Sequence, residues 1–183
     1  MAEIKLGPAG TPGKSTLEGI SKVRELGLQA MEVEFVHGIM MKNELAKKIG
    51  EEVKKHKISL SVHAPFFINL NSAEPEKIDA SKKRILDSCE RGHYMGARKI
   101  VFHPAFYGKV SPEKTFEITK THILDLQKTI KKEGWKVDLA PETTGKTSVF
   151  GSLDETIRLV KETGCSICVD FAHLWARNRG RLS

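Results

Sequence analysis

The chain has 183 residues, of which 39% are hydrophobic and 29% charged, and its formal net charge is +7. This hydrophobic content argues against intrinsic disorder, and the length suits one domain covering residues 1–183, although two would also fit. The start of the chain lacks the apolar core of a signal peptide, and no apolar run approaches the roughly 20 residues of a membrane span. A membrane protein is therefore excluded, and a cytoplasmic location is expected. The positive charge favours an anionic partner such as nucleic acid.

Predicted strands and helices alternate along the whole chain. The strands are apolar or β-branched runs, and they cover about residues 4–7, 30–36, 59–63, 99–103, 137–142 and 165–170. The helices between them cover about residues 16–26, 43–56, 75–94, 112–132 and 153–162. Ser15 with Glu18 and Ser152 with Glu155 have the spacing of capping boxes, which mark the starts of the first and last helices.

Strict alternation of strands and helices predicts an α/β fold with a parallel sheet covered by helices. A doubly wound sheet usually has a glycine-rich phosphate loop after its first strand, and the loop here lacks that spacing, with five residues between Gly7 and Gly13 where the motif has four. A (β/α)8 barrel is the better prediction, because polar residues follow several successive strands. Such barrels have about 250 residues, so this chain is expected to hold about six of the eight β/α units.

Five side chains that can bind metal ions lie at or just after the ends of the last four predicted strands: His63, His103, Glu142, Asp170 and His173. The carboxyl ends of parallel strands meet at one rim of a barrel, so these residues should converge despite their separation in sequence. Imidazoles and carboxylates together are typical of a site for divalent metal ions.

Cys165 and Cys168 form a C-x-x-C pair, which can indicate redox or zinc chemistry. They lie within a predicted strand, where an offset of three residues directs the two side chains to opposite faces. We therefore interpret both as small buried hydrophobic residues.

The motifs at the strand ends resemble those of endonuclease IV, the zinc-dependent AP endonuclease family on the xylose isomerase-like barrel. The similar segments are 63–65 (His-Ala-Pro), 102–104 (Phe-His-Pro), 140–143 (Ala-Pro-Glu-Thr) and 169–173 (Val-Asp-Phe-Ala-His). The resemblance implies that His63, His103 and Glu142 bind one zinc ion, and that Glu142 bridges to a second ion held also by Asp170. It assigns His173 to a third. The remaining ligands would lie beyond residue 183, so a carboxy-terminal truncation is expected, with one complete site and parts of two.

The same resemblance implies an activity and a partner. The activity is hydrolysis of the phosphodiester bond 5′ to an abasic site in double-stranded DNA, with Glu142 as the catalytic candidate. Phe66 lies where the family inserts residues at the lesion, and His37 lies, by a looser match, where it contacts DNA. Because two barrel units would be missing, the first and sixth strands would have unpaired edges, which predicts a tendency to self-associate.

Two other functions remain open from the sequence. Metal-dependent sugar isomerases and epimerases use the same barrel and also place Glu, Asp and His at strand ends, and a single metal ion would favour that class. A non-catalytic remnant that binds metal or DNA is the third hypothesis. Activity on an abasic duplex, with and without chelator, separates it from a nuclease.

Overall fold

The computed structural model describes residues 4–181 and shows short strands alternating with longer helices. In chain order, the elements are α1 (Thr16–Glu25), β1 (Ala30–Glu34), α2 (Asn43–His56), β2 (Ser59–His63), α3 (Pro75–Met95), β3 (Lys99–Phe102), β4 (Ala105–Phe106), α4 (Pro112–Lys132), β5 (Asp138–Pro141), β6 (Val149–Phe150), α5 (Leu153–Thr163) and α6 (Phe171–Arg177).

The main sheet is parallel, and its strands follow chain order, β1-β2-β3-β5. The amino-terminal segment lies beyond β1, where the Leu6 carbonyl accepts from the backbone N–H of Ala30 at 3.0 Å. Residues 166–168 lie beyond β5, and Cys168 N–H donates to the Pro141 carbonyl at 3.1 Å. Six extended segments therefore follow one another around the fold. This sequential order is that of a barrel, whereas a doubly wound sheet reverses direction at a switch point. The predicted TIM-barrel fold is confirmed.

The first and sixth predicted strands are not regular strands. Residues 4–8 adopt none, and the ladder beside β1 is reduced to one parallel bridge between Ala9 and Glu32; beyond β5 a single bridge joins Glu142 and Cys168. Pro8 has no N–H to contribute to a ladder. Among residues 4–181, neither segment has a backbone partner on its far side. Self-association through these edges stays a prediction.

The helices begin close to where their capping residues predict. At α5 the capping box is complete, since Ser152 Oγ accepts from Glu155 N–H and Glu155 Oε2 accepts from Ser152 N–H. At α1 only half of it forms: Ser15 Oγ accepts from Glu18 N–H at 3.2 Å, whereas Glu18 Oε2 accepts from the preceding Lys14 N–H. Both caps satisfy free N–H groups of the first helical turn.

The two faces of the sheet differ in polarity. Leu60 and Val62 of β2 are buried against the helices, whereas Ser61, between them, points to the opposite, inner face. There Ser61 Oγ donates to Glu32 Oε2 at 2.8 Å, and Lys99 Nζ donates to Asp138 Oδ2 at 2.6 Å. The hydrophobic core of the described residues thus lies between sheet and helices, and the inner face is mainly polar, with Val101 and Ala140 as buried apolar residues on it.

Two features were not predicted from the sequence. A short antiparallel pair forms between β4 and β6, and α6 continues the chain directly after the sixth extended segment. The Arg177 guanidinium, near the end of α6, donates to the carbonyls of Lys146 at 2.7 Å and Val149 at 2.9 Å. It thereby fixes the loop that follows β5 against α6.

Gly50 allows α2 to approach α3 closely, and Gly50→Ala is expected to lower the free energy of unfolding by about 1 kcal/mol. An added Cβ would lie 2.4 Å from the Tyr94 carbonyl oxygen. Alanine gains about 1 kcal/mol in helix propensity, but crowding against backbone costs roughly 1–3 kcal/mol and no side-chain rotation relieves it. Urea unfolding measures the change.

Gly92→Ala is the comparison variant. Its Cβ would meet the Cδ1 end of the Ile100 side chain at 2.6 Å, which can rotate away, so the loss should be smaller. A Gly50→Ala protein as stable as the unmodified chain would show that α2 and α3 can separate without cost.

Candidate metal centre

The ends of three neighbouring strands bring His63, His103 and Glu142 together. His63 is the last residue of β2, and the other two residues directly follow β3 and β5. His63 Nε2 lies 3.2 Å from Glu142 Oε2, and His103 Nε2 lies 2.6 Å from the same oxygen. Candidate ligand atoms of all three residues lie within 4.8 Å of one another. Parallel pairing of the strands causes this convergence, because it aligns their carboxyl ends at one rim.

Asp170 and His173 join the same cluster through the start of α6. Asp170 is the N-cap of that helix, and its Oδ1 accepts from His173 N–H at 2.8 Å. The first turn thus places His173 beside Asp170, and both lie with Glu142 in a second group of ligand atoms within 4.8 Å of one another. The resemblance assigned His173 to a separate third ion, whereas this geometry groups it with Glu142. Metal binding by the five residues stays a prediction.

Backbone carbonyls orient two of the imidazole rings. His63 Nδ1 lies 2.8 Å from the Ala64 carbonyl oxygen, and His173 Nδ1 lies 2.8 Å from the Thr143 carbonyl oxygen. A proton on Nδ1 satisfies each carbonyl and leaves the Nε2 lone pair free to bind a metal ion, which is the arrangement that metal-binding histidines use. For His63 that nitrogen faces Glu142.

Glu142 is only 6% exposed, and burial acts to raise its pKa, yet close contact with His103 and His63 outweighs this and lowers the pKa to about 2. Burial likewise acts to lower the pKa of His63, but its contacts with Glu142 and the Ala64 carbonyl raise that pKa. The Glu142 carboxylate is therefore ionised at neutral pH, which is the form that binds metal ions.

His103 provides the observation that tests whether a metal ion fits. Its Nε2 is buried and close to Glu142 Oε2, but the alignment does not make a hydrogen bond, and no other partner lies among the described residues. A buried polar nitrogen without a partner is costly, so it calls for an occupant. Two imidazole nitrogens and a carboxylate oxygen are the donor set of zinc and similar divalent ions. The residues fit such an ion.

Two neighbours of the cluster were missed by the sequence interpretation. Thr143 is fully buried, and its Oγ1 accepts from Asp170 N–H at 2.9 Å, which holds Asp170 beside Glu142. Cys168 is partly exposed, and its Sγ lies 3.7 Å from Glu142 Oε1. Burial and the charge of Glu142 raise the pKa of the Cys168 thiol to about 12. The hydrophobic interpretation holds for Cys165, which is in the core, and is wrong for Cys168.

His37 and Phe66, the predicted DNA-contact residues, lie together at the same rim. They belong to the loops after β1 and β2, and their rings are 6.3 Å apart in an edge-to-face arrangement. Phe66 and Phe67 are 55% and 64% exposed. Such exposure of adjacent aromatic rings suits contact with a partner, but the DNA role stays a prediction.

A pocket of about 410 Å³ opens beside the cluster. His103 and His173 form one wall, and Lys146 and Phe106 contribute a cation and an aromatic ring to the rest of its lining. The pocket therefore joins the candidate ligands to a positive charge that could attract an anionic substrate.

The fold and the cluster define an α/β barrel with a candidate metal site at one rim, and comparison with known proteins gives its family. The profile of the xylose isomerase-like TIM barrel family matches residues 20–182, so the chain belongs to that family. Over 179 residues it is 40% identical to an uncharacterised protein of Methanocaldococcus jannaschii, and the matched region is 97% of this chain and 64% of the relative. It is 32% identical over 119 residues to a probable endonuclease 4 of Mesomycoplasma hyopneumoniae, covering 62% of this chain and 41% of that protein.

Among solved structures, endonuclease IV from Thermus thermophilus has a TM-score of 0.72 and 20% identity, covering 92% of this chain and 62% of the neighbour. D-psicose 3-epimerase from Clostridium cellulolyticum has a TM-score of 0.70 and 18% identity, and the match covers 88% of this chain and 60% of the epimerase. At these identities the structural likeness shows the fold alone. The expected resemblance to the endonuclease IV family is confirmed, and this chain spans less than two thirds of the length of each of these four proteins. No helix within residues 4–181 is long and apolar enough to cross a bilayer.

Proposed function

We propose that this chain carries the metal centre of an endonuclease IV-type phosphodiesterase, which cleaves DNA on the 5′ side of abasic sites. The convergence of His63, His103 and Glu142 at one rim carries the proposal. The similarity to a probable endonuclease 4 supports a nuclease, and the net charge of +7 suits a polyanionic substrate.

The proposed ligands divide into two groups that share Glu142. His63 and His103 would hold one zinc ion with it, and Asp170 and His173 would hold another. Zinc would supply Lewis acidity there, lowering the pKa of coordinated water and offsetting charge on the phosphodiester oxygens. The protein contributes an ionised Glu142 and imidazole rings whose orientation is already fixed by backbone carbonyls.

The surroundings of the cluster suit a DNA backbone with a missing base. Lys146 places a positive charge in the adjoining pocket, where it would attract a phosphate group. Phe66 and His37 form an aromatic rim that could enter the gap, because opening the duplex at an abasic site breaks no base pair. These contacts would select the lesion, and the metal centre would act on the neighbouring phosphodiester.

A sugar epimerase is the second candidate. The fold likeness to D-psicose 3-epimerase, with a TM-score of 0.70, is close to that with endonuclease IV. Glu142 and Asp170, on neighbouring strand ends, could also hold a metal ion against a sugar hydroxyl pair. The chain's positive charge favours the nuclease.

Metal removal tests the proposal. The purified chain loaded with zinc is expected to nick a duplex containing one abasic site and to leave an intact duplex uncut. Treatment with EDTA and dialysis should reduce the nicking rate by more than about 100-fold, and added zinc should restore it, because the ion would lower the pKa of the attacking water. Nicking is followed on a denaturing gel, and bound zinc is counted by mass spectrometry.

The same preparations should be assayed with ketohexose sugars. Epimerisation without nicking would replace the nuclease by the second candidate. Bound zinc without either activity would contradict catalysis by this chain and favour a non-catalytic metal-binding role.

A further inference from the structure

The two carboxylate oxygens of Glu142 have different neighbours. Oε2 faces the imidazoles of His63 and His103, at 3.2 and 2.6 Å. Oε1 faces the Cys168 thiol, whose sulfur lies at 3.7 Å, within the range of an S–H···O hydrogen bond. The carboxylate thus lies between the rings on one side and a thiol on the other.

Backbone pairing fixes the position of this thiol. Cys168 and Glu142 are direct partners in a parallel bridge, so both side chains project from the same face. Cys168 N–H donates to the Pro141 carbonyl, and the Cys168 carbonyl accepts from Thr143 N–H, each at 3.1 Å. The hydrogen bonds on either side of Glu142 therefore hold Cys168 opposite it, independently of any flexible loop.

We propose that Cys168 is a positioning residue for Glu142, and the proposal rests on the metal centre proposed above. Its S–H donates to Oε1 and turns the carboxylate so that Oε2 faces the ion shared with His63 and His103. The terminal torsion of a glutamate is broad, so without a partner on Oε1 the carboxylate can rotate out of this orientation. Hydrogen bonds to ligating carboxylates typically raise metal affinity by about 10–100-fold.

A thiol that merely fills space makes a different prediction, and serine separates the two. Serine is close to cysteine in shape and keeps a hydroxyl donor, whereas alanine removes the donor. If donation to Oε1 matters, Cys168→Ala should weaken zinc binding and Cys168→Ser should restore most of it. If the thiol only fills space, Cys168→Ala should lower stability to urea, and both variants should leave zinc affinity unchanged.

The experiment measures zinc affinity of the full 183-residue chain by competition with a chromogenic chelator. Cys168→Ala is expected to weaken zinc binding by about 10–100-fold, and Cys168→Ser by less than a few-fold. Cys165→Ala is the matched control, because that thiol is 4% exposed in the core, three residues away on the opposite face. It should lower stability to urea and leave zinc affinity unchanged.

Absorption of Co²⁺ in the same site gives a readout that stability alone does not move. Cys168→Ala should shift the d–d bands, and Cys168→Ser should return them towards those of the unmodified chain. Unchanged affinity in Cys168→Ala, or equal weakening in Cys168→Ala and Cys168→Ser, would overturn the proposal. So would a sulfur-to-cobalt charge-transfer band that Cys168→Ala removes, because it would make Cys168 a direct ligand. An unmodified chain that binds no zinc would instead overturn the metal centre itself.

Discussion

Glu142→Gln is expected to abolish zinc-dependent nicking of an abasic duplex and to weaken zinc binding well beyond the roughly 100-fold typical of a lost hydrogen bond to a ligand. Glu142 is the residue shared by both groups of candidate ligands among the described residues. Glutamine keeps the size of the side chain but removes the negative charge that would offset the charge of bound metal ions. Nicking on a denaturing gel and zinc competition measure the two losses.

Glu32→Gln is the matched control for this substitution. Glu32 is a second glutamate on the inner face, where it accepts from Ser61 Oγ at 2.8 Å, and the amide can keep that bond. Glu32→Gln should nick at a rate close to that of the unmodified chain, because Glu32 lies outside both groups of candidate ligands. Circular dichroism checks that both variants fold. Persistent nicking by Glu142→Gln would contradict the assignment of the metal centre.

Phe102→Ala is expected to cause the largest loss of stability, about 3–5 kcal/mol. Phe102 is fully buried between the sheet and the helices, directly before His103. Its carbonyl also accepts from Glu142 N–H at 3.0 Å. Because domains of this kind are stable by only about 5–15 kcal/mol, the variant should unfold at much lower urea concentration.

Phe106→Ala is the control for the phenylalanine deletion. Phe106 lies four residues further along the same connection, but its side chain is 47% exposed, so removing it should cost less than about 1 kcal/mol. Equal losses at the two positions would show that the core does not lie where the structure places it.

The helices could be predicted because their ends are defined by local chemistry. The predicted range of α2, residues 43–56, matches the structure, and Ser152 with Glu155 forms the expected capping box before α5. The fold class followed from strict alternation, which leaves few arrangements other than a barrel once a doubly wound sheet is excluded.

The short elements could not be predicted in the same way. The paired strands β4 and β6 are two residues each, too short for any periodicity to show. Asp170 was predicted to end a strand and to bind metal, but Asp is also a preferred N-cap, and this further role begins α6. The first predicted strand is not regular because Pro8 has no N–H to donate, and within residues 4–181 no strand pairs with its outer side.

The parts of the candidate site that depend on strand direction could be predicted from the sequence. The contacts that depend on the register between strands could not. His63, His103 and Glu142 had to meet if the strands were parallel and adjacent. The contacts of Cys168 and Thr143 depend on which residue of the sixth segment lies opposite Glu142, and no pattern within either segment specifies that pairing. Periodicity does give the face of Cys168, since alternation places it opposite Cys165.

The polar inner face has a consequence for how the chain can be made. Since the apolar side of each strand is covered by helices close to it in sequence, a newly synthesised β/α unit can bury its hydrophobic residues as soon as it emerges from the ribosome. Each unit then docks on the one made before it. Growth by stepwise addition would complete both groups of candidate ligands only when the segment carrying Asp170 arrives beside Glu142.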